Sequence, residues 1–304
     1  MSEVVVVGGL NMDLHLFGLR GSAGQAPMVA DEYLAMPGGK GGNVARALAQ
    51  LDVPVRLIAR VGDDEFGHDC VTAVAADGVD TGGVTVTTGE STGFVAIELI
   101  EGSHQSMVFA PGANDHLTWN EVRPAVEKLR DGLVIAQAEI PTPVLDELCT
   151  FCSESEIPLY LDPTPPERVL RRHLEVSEVI TPDALEAAEL VGRVPGSRLW
   201  PALACRELLA SGARRVIVKL GADGALFGDE TGLTEVPTIE VEAIDETGAG
   251  DAFLAALVAR RLEGAGWLEA VRFANVAAAL SVAVSGLHLP DRESIEAAEQ
   301  RQGN

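Results

Sequence analysis

Asp245-Glu-Thr-Gly-Ala-Gly-Asp-Ala-Phe253 joins a glycine-flanked turn to a strongly apolar helical stretch, Ala252 to Leu262, with a carboxylate at the join. Such a turn aims successive backbone N–H groups at one point, and the helix N-terminus behind it adds positive partial charge. The product is a cradle for a phosphate or a developing oxyanion, formed by Gly248, Ala249 and Gly250. Asp251 at its edge is placed to take a proton from a hydroxyl that attacks the phosphate. A base beside an anion hole is most of what phosphoryl transfer to an alcohol requires. Taken alone, the same residues would serve equally well as a tight turn with Asp251 capping a helix.

A second glycine cluster far upstream changes the balance. Pro37-Gly-Gly-Lys-Gly-Gly-Asn43 opens another apolar helical stretch, Val44 to Leu51. Gly38 and Gly39 precede Lys40, two peptide planes are left free to approach a ligand, and Asn43 offers a donor–acceptor pair.

Outward from these motifs, apolar runs of strand length alternate with helical patterns. Val4–Val7, Val55–Val61, Leu133–Ala136, Leu159–Leu161, Val179–Ile180 and Val216–Leu220 read as buried strands. Helical candidates lie near Val44–Leu51, Phe66–Ala76, Val144–Cys152, Ala184–Val191 and Leu199–Ala210. After the second motif come helices only: Ala252–Leu262, Leu268–Ser285 and Arg292–Gln300. The alternation predicts an α/β fold, a mostly parallel central sheet with helices on both faces. Leu14 to Met36 and Thr92 to Phe109 break the pattern and read as antiparallel strands lying off that sheet.

The 304 residues carry a net charge of −24, with 22 basic residues of which only Lys40, Lys128 and Lys219 are lysine. Nucleic-acid binding needs the opposite balance, because affinity there comes from neutralised phosphates. A dense acidic surface poor in lysine suits a high-salt cytoplasm and predicts a halophilic protein. No apolar run reaches the roughly 18 residues of a membrane helix, and Val4–Val7 lacks the length and basic flank of a signal peptide. A cytoplasmic location without membrane contact is the expectation. Cys149 and Cys152 have redox or zinc spacing, but Leu145, Leu148 and Phe151 place them on an apolar helix as buried structural thiols. Cys70 and Cys205 stand alone, and the six histidines make no ligand pattern.

The two glycine motifs, in this order and this far apart, resemble those of the ribokinase-like carbohydrate kinases, the PfkB family. Gly8-Gly-Leu-Asn-Met-Asp13, Ser91-Thr-Gly93, Pro111-Gly-Ala-Asn114, Ile180-Thr-Pro-Asp-Ala-Leu-Glu186 and Lys219-Leu-Gly-Ala-Asp-Gly224 extend the likeness over essentially the whole chain. The resemblance implies one α/β domain over residues 1–304, with insertions near 14–36 and 92–109 forming a small β lid over a sugar. It implies ATP as phosphoryl donor and Mg2+ as its companion ion. Asp251 then activates the primary hydroxyl of the sugar for in-line attack on the γ-phosphate.

Other positions take roles in the same way. Asn11 and Asp13 follow the first strand, where a ligand of an open α/β sheet binds, and Asp13 suits two vicinal hydroxyls. A turn carboxylate capping its own backbone would look the same. The resemblance makes Asn11, Asp13, Gly38, Gly39, Lys40, Asn43 and Glu139 substrate-binding. Glu186 matches the acidic residue of the family's Asn-x-x-Glu motif, whereas Asp183 departs from its asparagine; both would meet magnesium through water. Asp183 is also a natural cap for the helix that follows. Lys219, Gly221, Gly224, Thr247 and Asn275 match nucleotide positions, Asn275 beside the adenine. Asp245 matches a monovalent-cation residue, K+ in many members, although its partner loop Ser285-Gly-Leu-His-Leu-Pro-Asp291 departs from the usual pattern.

Two carboxylates favour a neutral polyol over an anion, which would call for arginine or lysine. The Gly38–Asn43 loop is most similar to the ribokinase branch, implying D-ribose. A nucleoside is the second choice, with Phe17, Phe94, Met107 and Phe109 as a stacking face. A ribose phosphate gripped by Arg20 is the third. A sugar or nucleotide sensor without catalysis would have no need of Asp251. A dinucleotide-dependent dehydrogenase would need Gly-x-Gly-x-x-Gly where Gly8-Gly-Leu-Asn-Met-Asp13 stands. Lid strands often pair between subunits in this family, which implies a homodimer.

Overall fold

The structure, a computed structural model, describes residues 3–20, 29–100, 103–192, 200–284 and 286–302. The first half runs β1 (Glu3–Val7), β2 (Asn11–Phe17), β3 (Glu32–Gly38), α1 (Lys40–Gln50), β4 (Val55–Gly62), α2 (Glu65–Ala76) and β5 (Asp80–Thr87). It continues through β6 (Gly93–Ile100), β7 (Ser103–Ala110), α3 (Trp119–Val126) and β8 (Gly132–Gln137). The second half begins with α4 (Thr142–Glu154), β9 (Leu159–Asp162), α5 (Arg171–Val176), β10 (Val179–Ile180), α6 (Ala184–Leu190) and α7 (Trp200–Ala210). β11 (Val216–Lys219), β12 (Ala225–Asp229), β13 (Gly232–Val236), α8 (Ala249–Leu262), α9 (Trp267–Val282) and α10 (Arg292–Gln302) complete it.

The described strands form a nine-stranded sheet, ordered β13-β12-β11-β10-β9-β8-β1-β4-β5, and a four-stranded one, β3-β2-β6-β7. From β11 to β5 every neighbour in the large sheet is parallel. Parallel strands need crossovers, and helices supply them on both faces. Alternation along β1 divides the core accordingly. Val4 and Val6 face one layer with α8 and α9, whereas Val5 and Val7 face the other with α4 and α7. Ala252 to Ala259 of α8 are all buried, so this helix is apolar around its circumference, as a core helix must be. Burying a side chain such as Phe253 contributes about 1.5–3 kcal/mol.

Three features depart from the expectation. β12 and β13 extend the large sheet antiparallel beyond β11, and β5 closes its other end. In the small sheet β2–β3 and β6–β7 are antiparallel hairpins, yet β2 and β6 pair parallel along seven residues, from Asn11↔Gly93 to Phe17↔Leu99. α1 begins at Lys40, so the glycines expected to precede the helix form its first turn. The middle of the first lid segment, residues 21–28, lies outside the described residues, as do Leu199 and Ser285. Among the described residues no helix is long and apolar enough to cross a membrane. Cys70, Cys149, Cys152 and Cys205 are buried free thiols, each pushed up to about 12 by burial.

Candidate active site

Strand order in the large sheet reverses at β1, whose neighbours are β8 and β4. Connections leaving opposite ways at such a switch point open a crevice beyond the carboxyl ends of the strands. A cavity of about 830 Å³ fills that crevice and runs on to the start of α8. Asn11, Asp13, Gly39, Lys40, Asn43, Glu139, Asp183, Glu186, Lys219, Gly221, Gly224 and Asn275 line it, with Thr247, Gly248, Ala249, Gly250 and Asp251. Gly38 and Asp245 do not; Gly38 backs onto Asp13, whose Oδ2 would lie 2.0 Å from any Cβ placed there.

At one end of the cavity, Gly39 turns the chain into α1 at φ 82. A Cβ there would meet Asn11 N at 2.7 Å and Gly9 O at 2.8 Å, so only glycine fits. The tight approach uses two N–H groups of the helix start internally: Lys40 N donates to Glu139 Oε2 at 3.2 Å and Gly42 N to Gly9 O at 3.1 Å. Asp13 is buried with Oδ1 lacking a hydrogen-bond partner. Burial pushes its carboxyl up to about 8; the neighbouring Glu139 charge adds to the rise and the Gly39 N–H opposes it. Burial likewise raises Glu139 to about 7, against the pull of the Lys40 ammonium.

At the centre, Gly248 at φ 78 starts α8, and its missing Cβ would collide with Leu287 Cδ1 at 2.3 Å. The first turn of α8 therefore opens at the cavity wall with its N–H end leading, although Ala249 N also donates to Glu246 O at 3.3 Å within the turn. The Lys219 ammonium hangs over this turn, 3.1 Å from where a Cβ on Gly250 would sit. Asp251, 4% exposed, accepts from Asn43 Nδ2 at 2.9 Å on one oxygen. Its other oxygen, Oδ1, has no hydrogen-bond partner and lies 4.0 Å from Lys40 Nζ. Burial raises the Asp251 carboxyl above its ordinary value, and the Lys40 ammonium opposes that rise.

Lys40 is turned inward. Its ammonium lies 3.8 Å from Asp162 Oδ2 as well as 4.0 Å from Asp251. Burial depresses its pKa, but Asp162 and Asp251 more than offset that and hold it well above the lysine range. Asp162, fully buried at the end of β9, was missed by sequence reasoning, and so was Thr164. The Thr164 hydroxyl stands between Asp162 Oδ1, at 2.9 Å, and Glu186 Oε1. A lone carboxylate after a four-residue strand carries little signal in a single sequence.

Asp183 does cap α6: its Oδ1 accepts from Leu185 N and Glu186 N, each at 2.8 Å. Glu186 Oε2 answers by accepting Asp183 N at 2.7 Å. Among the described residues no group of three acidic, histidine or cysteine side chains forms a direct metal cluster. Asn275 donates to Val236 O at 2.7 Å and Pro237 O at 3.2 Å. Asp245 accepts from Thr247 N and from Gly286 N, each at 2.9 Å, which brings the C-terminal loop against the α8 turn. These bonds outweigh burial and hold its carboxyl below the usual range.

The chemistry of this cavity is that of acceptors at one end, an anion cradle with two ammonium groups in the middle, and an apolar slot beyond. Residues 1–293 match the pfkB family carbohydrate kinases. The chain is 32% identical to ribokinase of Bacillus subtilis over 97% of this chain and 99% of that one. It is 31% identical to ribokinase of Lactococcus lactis, covering 93% and 91% of the two. The crystal structure of ribokinase from Thermotoga maritima superposes with a TM-score of 0.87 at 28% identity, covering 99% of this chain and 100% of that one. Arabidopsis thaliana ribokinase complexed with ribose and ATP superposes at 0.84 and 27% identity, covering 98% of each. Family match, full-length relatives and shared architecture agree, and this chain belongs to the pfkB family of carbohydrate kinases, ATP-dependent sugar kinases.

Proposed function

We propose that the protein phosphorylates D-ribose with ATP, giving ribose 5-phosphate, with Asp251 as general base. The observation that carries this is the union of a buried, half-partnered carboxylate with an anion cradle at the mid-point of one cavity. Asp13 and Glu139 accept hydroxyl hydrogens and place the primary hydroxyl near Asp251. As that oxygen bonds to the γ-phosphorus, its proton passes to Asp251 and the bond to the β,γ-bridging oxygen breaks. Backbone N–H groups of Gly248, Ala249 and Gly250 and the ammonium groups of Lys40 and Lys219 take up the charge on the transferring group.

Magnesium would be held through its water shell, since Asp183 and Glu186 spend part of their lone pairs on the α6 cap and Thr164. Bound there, it would neutralise phosphate charge. Asp245 and the loop from Gly286 are the site for a monovalent cation, K+ in this reading. Thr247, Gly221, Gly224 and Asn275 serve the nucleotide.

Free ribose is favoured over its competitors by where four side chains lie. Arg20 pairs with Asp31 on an exposed edge of the small sheet and does not line the cavity, leaving no arginine for a phosphosugar among its described lining. Phe17 and Phe109 pack against Val95 and Ile97, and Phe94 stacks on Phe66, so the proposed stacking face for a nucleobase is spent on packing. Met107 alone of that set lines the cavity.

The small sheet acts as the lid of a single kinase domain, Val95, Ile97 and Met107 facing the cavity. Its exposed apolar residues, Val29, Tyr33, Leu34 and Val108, support a homodimer joined through the lid. Net charge supports halophilic adaptation and a cytoplasmic home rich in salt. ATP turnover with magnesium in molar potassium chloride, across ribose, other sugars, nucleosides and ribose phosphates, tests the assignment. Ribose-dependent turnover that collapses in Asp251→Asn supports it. Turnover only with nucleosides or phosphosugars overturns the substrate, and binding without turnover would mean a sensor. Light scattering at several salt concentrations tests the dimer, and a melting temperature that falls on removal of salt is expected of a halophile.

A further inference from the structure

Beyond the α8 turn, away from Asp13 and Glu139, the cavity is walled by residues 238–241 and 243 and by the last turns of α9, which form a slot. A triphosphate lying on the turn with its γ end toward the sugar sends its base into this slot. The walls are Ile239, Val241, Ala243, Ala278, Ala279 and Val282, all apolar. Their side chains cannot distinguish one flat heterocycle from another by hydrogen bonding.

The polar side chains of the slot are occupied or indifferent. Asn275 spends its amide nitrogen on Val236 O and Pro237 O, which fixes its orientation and leaves its oxygen as an acceptor. Thr238 donates its hydroxyl to Asn275 O at 3.0 Å. Glu240 is exposed and offers only acceptors. Adenine, guanine, cytosine and uracil each carry at least one N–H on the edge that would meet an acceptor. Residues 240–243 are exposed, so water competes there with any hydrogen bond to the base. Strong groups gather instead around the phosphates, where Lys219 and Lys40 flank the α8 turn.

We propose that the phosphoryl donor is recognised by its triphosphate and not by its base, so nucleoside triphosphates of every base serve. This rests on the kinase reading of the site. A pocket that reads by apolar contact discriminates by about 10- to 200-fold, whereas one built to hydrogen-bond its ligand rejects the wrong one by about 10⁴ to 10⁵.

The experiment measures kcat/KM for ATP, GTP, CTP and UTP at saturating sugar. Values for all three alternatives within about two hundredfold of ATP are expected; a larger preference overturns the proposal. Asn275→Ala is the second arm. If Asn275 holds the 236–237 segment, the variant melts lower while its ATP-to-GTP ratio moves by less than about fivefold. A larger change of ratio means that Asn275 reads the base, and overturns the proposal. The wild-type comparison stands by itself should the variant not fold. Failure of ribose with every donor would overturn the sugar assignment alone, and the comparison then runs on the sugar that is turned over.

Discussion

Asn43 donates its side-chain amide to Asp251 Oδ2 at 2.9 Å, tying the two glycine motifs together across 208 positions of sequence. This bond fixes the carboxylate so that its second oxygen faces the cavity. A hydrogen bond to a charged group contributes about 1.5–3 kcal/mol, so Asn43→Ala should lower kcat by about ten- to hundredfold. Asn43→Asp, which sets a second carboxylate against Asp251, should lose more. Steady-state kinetics at saturating sugar and ATP check both. An unchanged kcat in both variants would remove Asn43 from the catalytic geometry.

The pH dependence follows from burial. Asp251 must be deprotonated to act as a base, and burial raises its pKa, so kcat should fall on acidification at a pH above the ordinary carboxylate range. Lys40 opposes that rise. Lys40→Met should therefore move the acidic limb to higher pH as well as lowering the plateau. Profiles of kcat for the two proteins decide this. A limb in the variant at or below the wild-type position would contradict the assigned base.

Asp13 sets affinity against stability. Its carboxyl titrates at about 8 in the fold against 3.8 for the free group, so between those pH values the native state holds more protons than the unfolded chain. Stability from this group is present below pH 4 and lost as pH rises toward 8. Asp13→Asn has no proton to lose and should melt higher by at least about 5 °C at pH 8, with little difference near pH 4. Above pH 8, where the wild-type carboxyl is ionised, its KM for the sugar should rise by about tenfold or more, since an acceptor is replaced in part by a donor. Thermal melts at both pH values, with sugar titrations, test the two halves separately.

Gly248→Ala should be damaging for two separable reasons. A Cβ at φ 78 costs about 1–2 kcal/mol by itself, and at this position it also strikes Leu287. We expect a lower melting temperature and a kcat reduced by about tenfold or more as the cradle shifts. Leu287→Ala in the same background should relieve the collision and leave the backbone strain. Partial recovery is therefore expected, and full recovery would show that strain at Gly248 contributes nothing.

Much of this architecture was legible because buried parallel strands leave dense apolar runs: Val4–Val7 emerges within β1, and Val216–Leu220 as β11, which ends one residue earlier at Lys219. β5, β12 and β13 were hidden by composition. Gly83 of β5 looks like a turn residue, yet it is glycine because a Cβ would meet Ile58 Cδ1 at 2.2 Å. Gly228 of β12 is likewise pressed against Cys205 Sγ, at 2.5 Å from a notional Cβ. Packing from the paired strand β4 in one case and from α7 in the other dictates both, and no local pattern records it. The site divides the same way. Its glycine turns and Asp251 carry their meaning in local sequence, and Gly39, Gly248, Gly250 and Asp251 line the cavity. Asp162 and the inward turn of Lys40 depend on the end of β9 meeting the start of α1, a relation no spacing expresses.

The parallel seam between β2 and β6 has a consequence for redesign. β2 sets Asn11 and Asp13 in the cavity wall and is paired along its whole length with a strand from a distant part of the chain. The small sheet therefore cannot be exchanged as a cassette on its own, because any graft that carries β6 and β7 must bring a compatible β2 and, with it, Asn11 and Asp13.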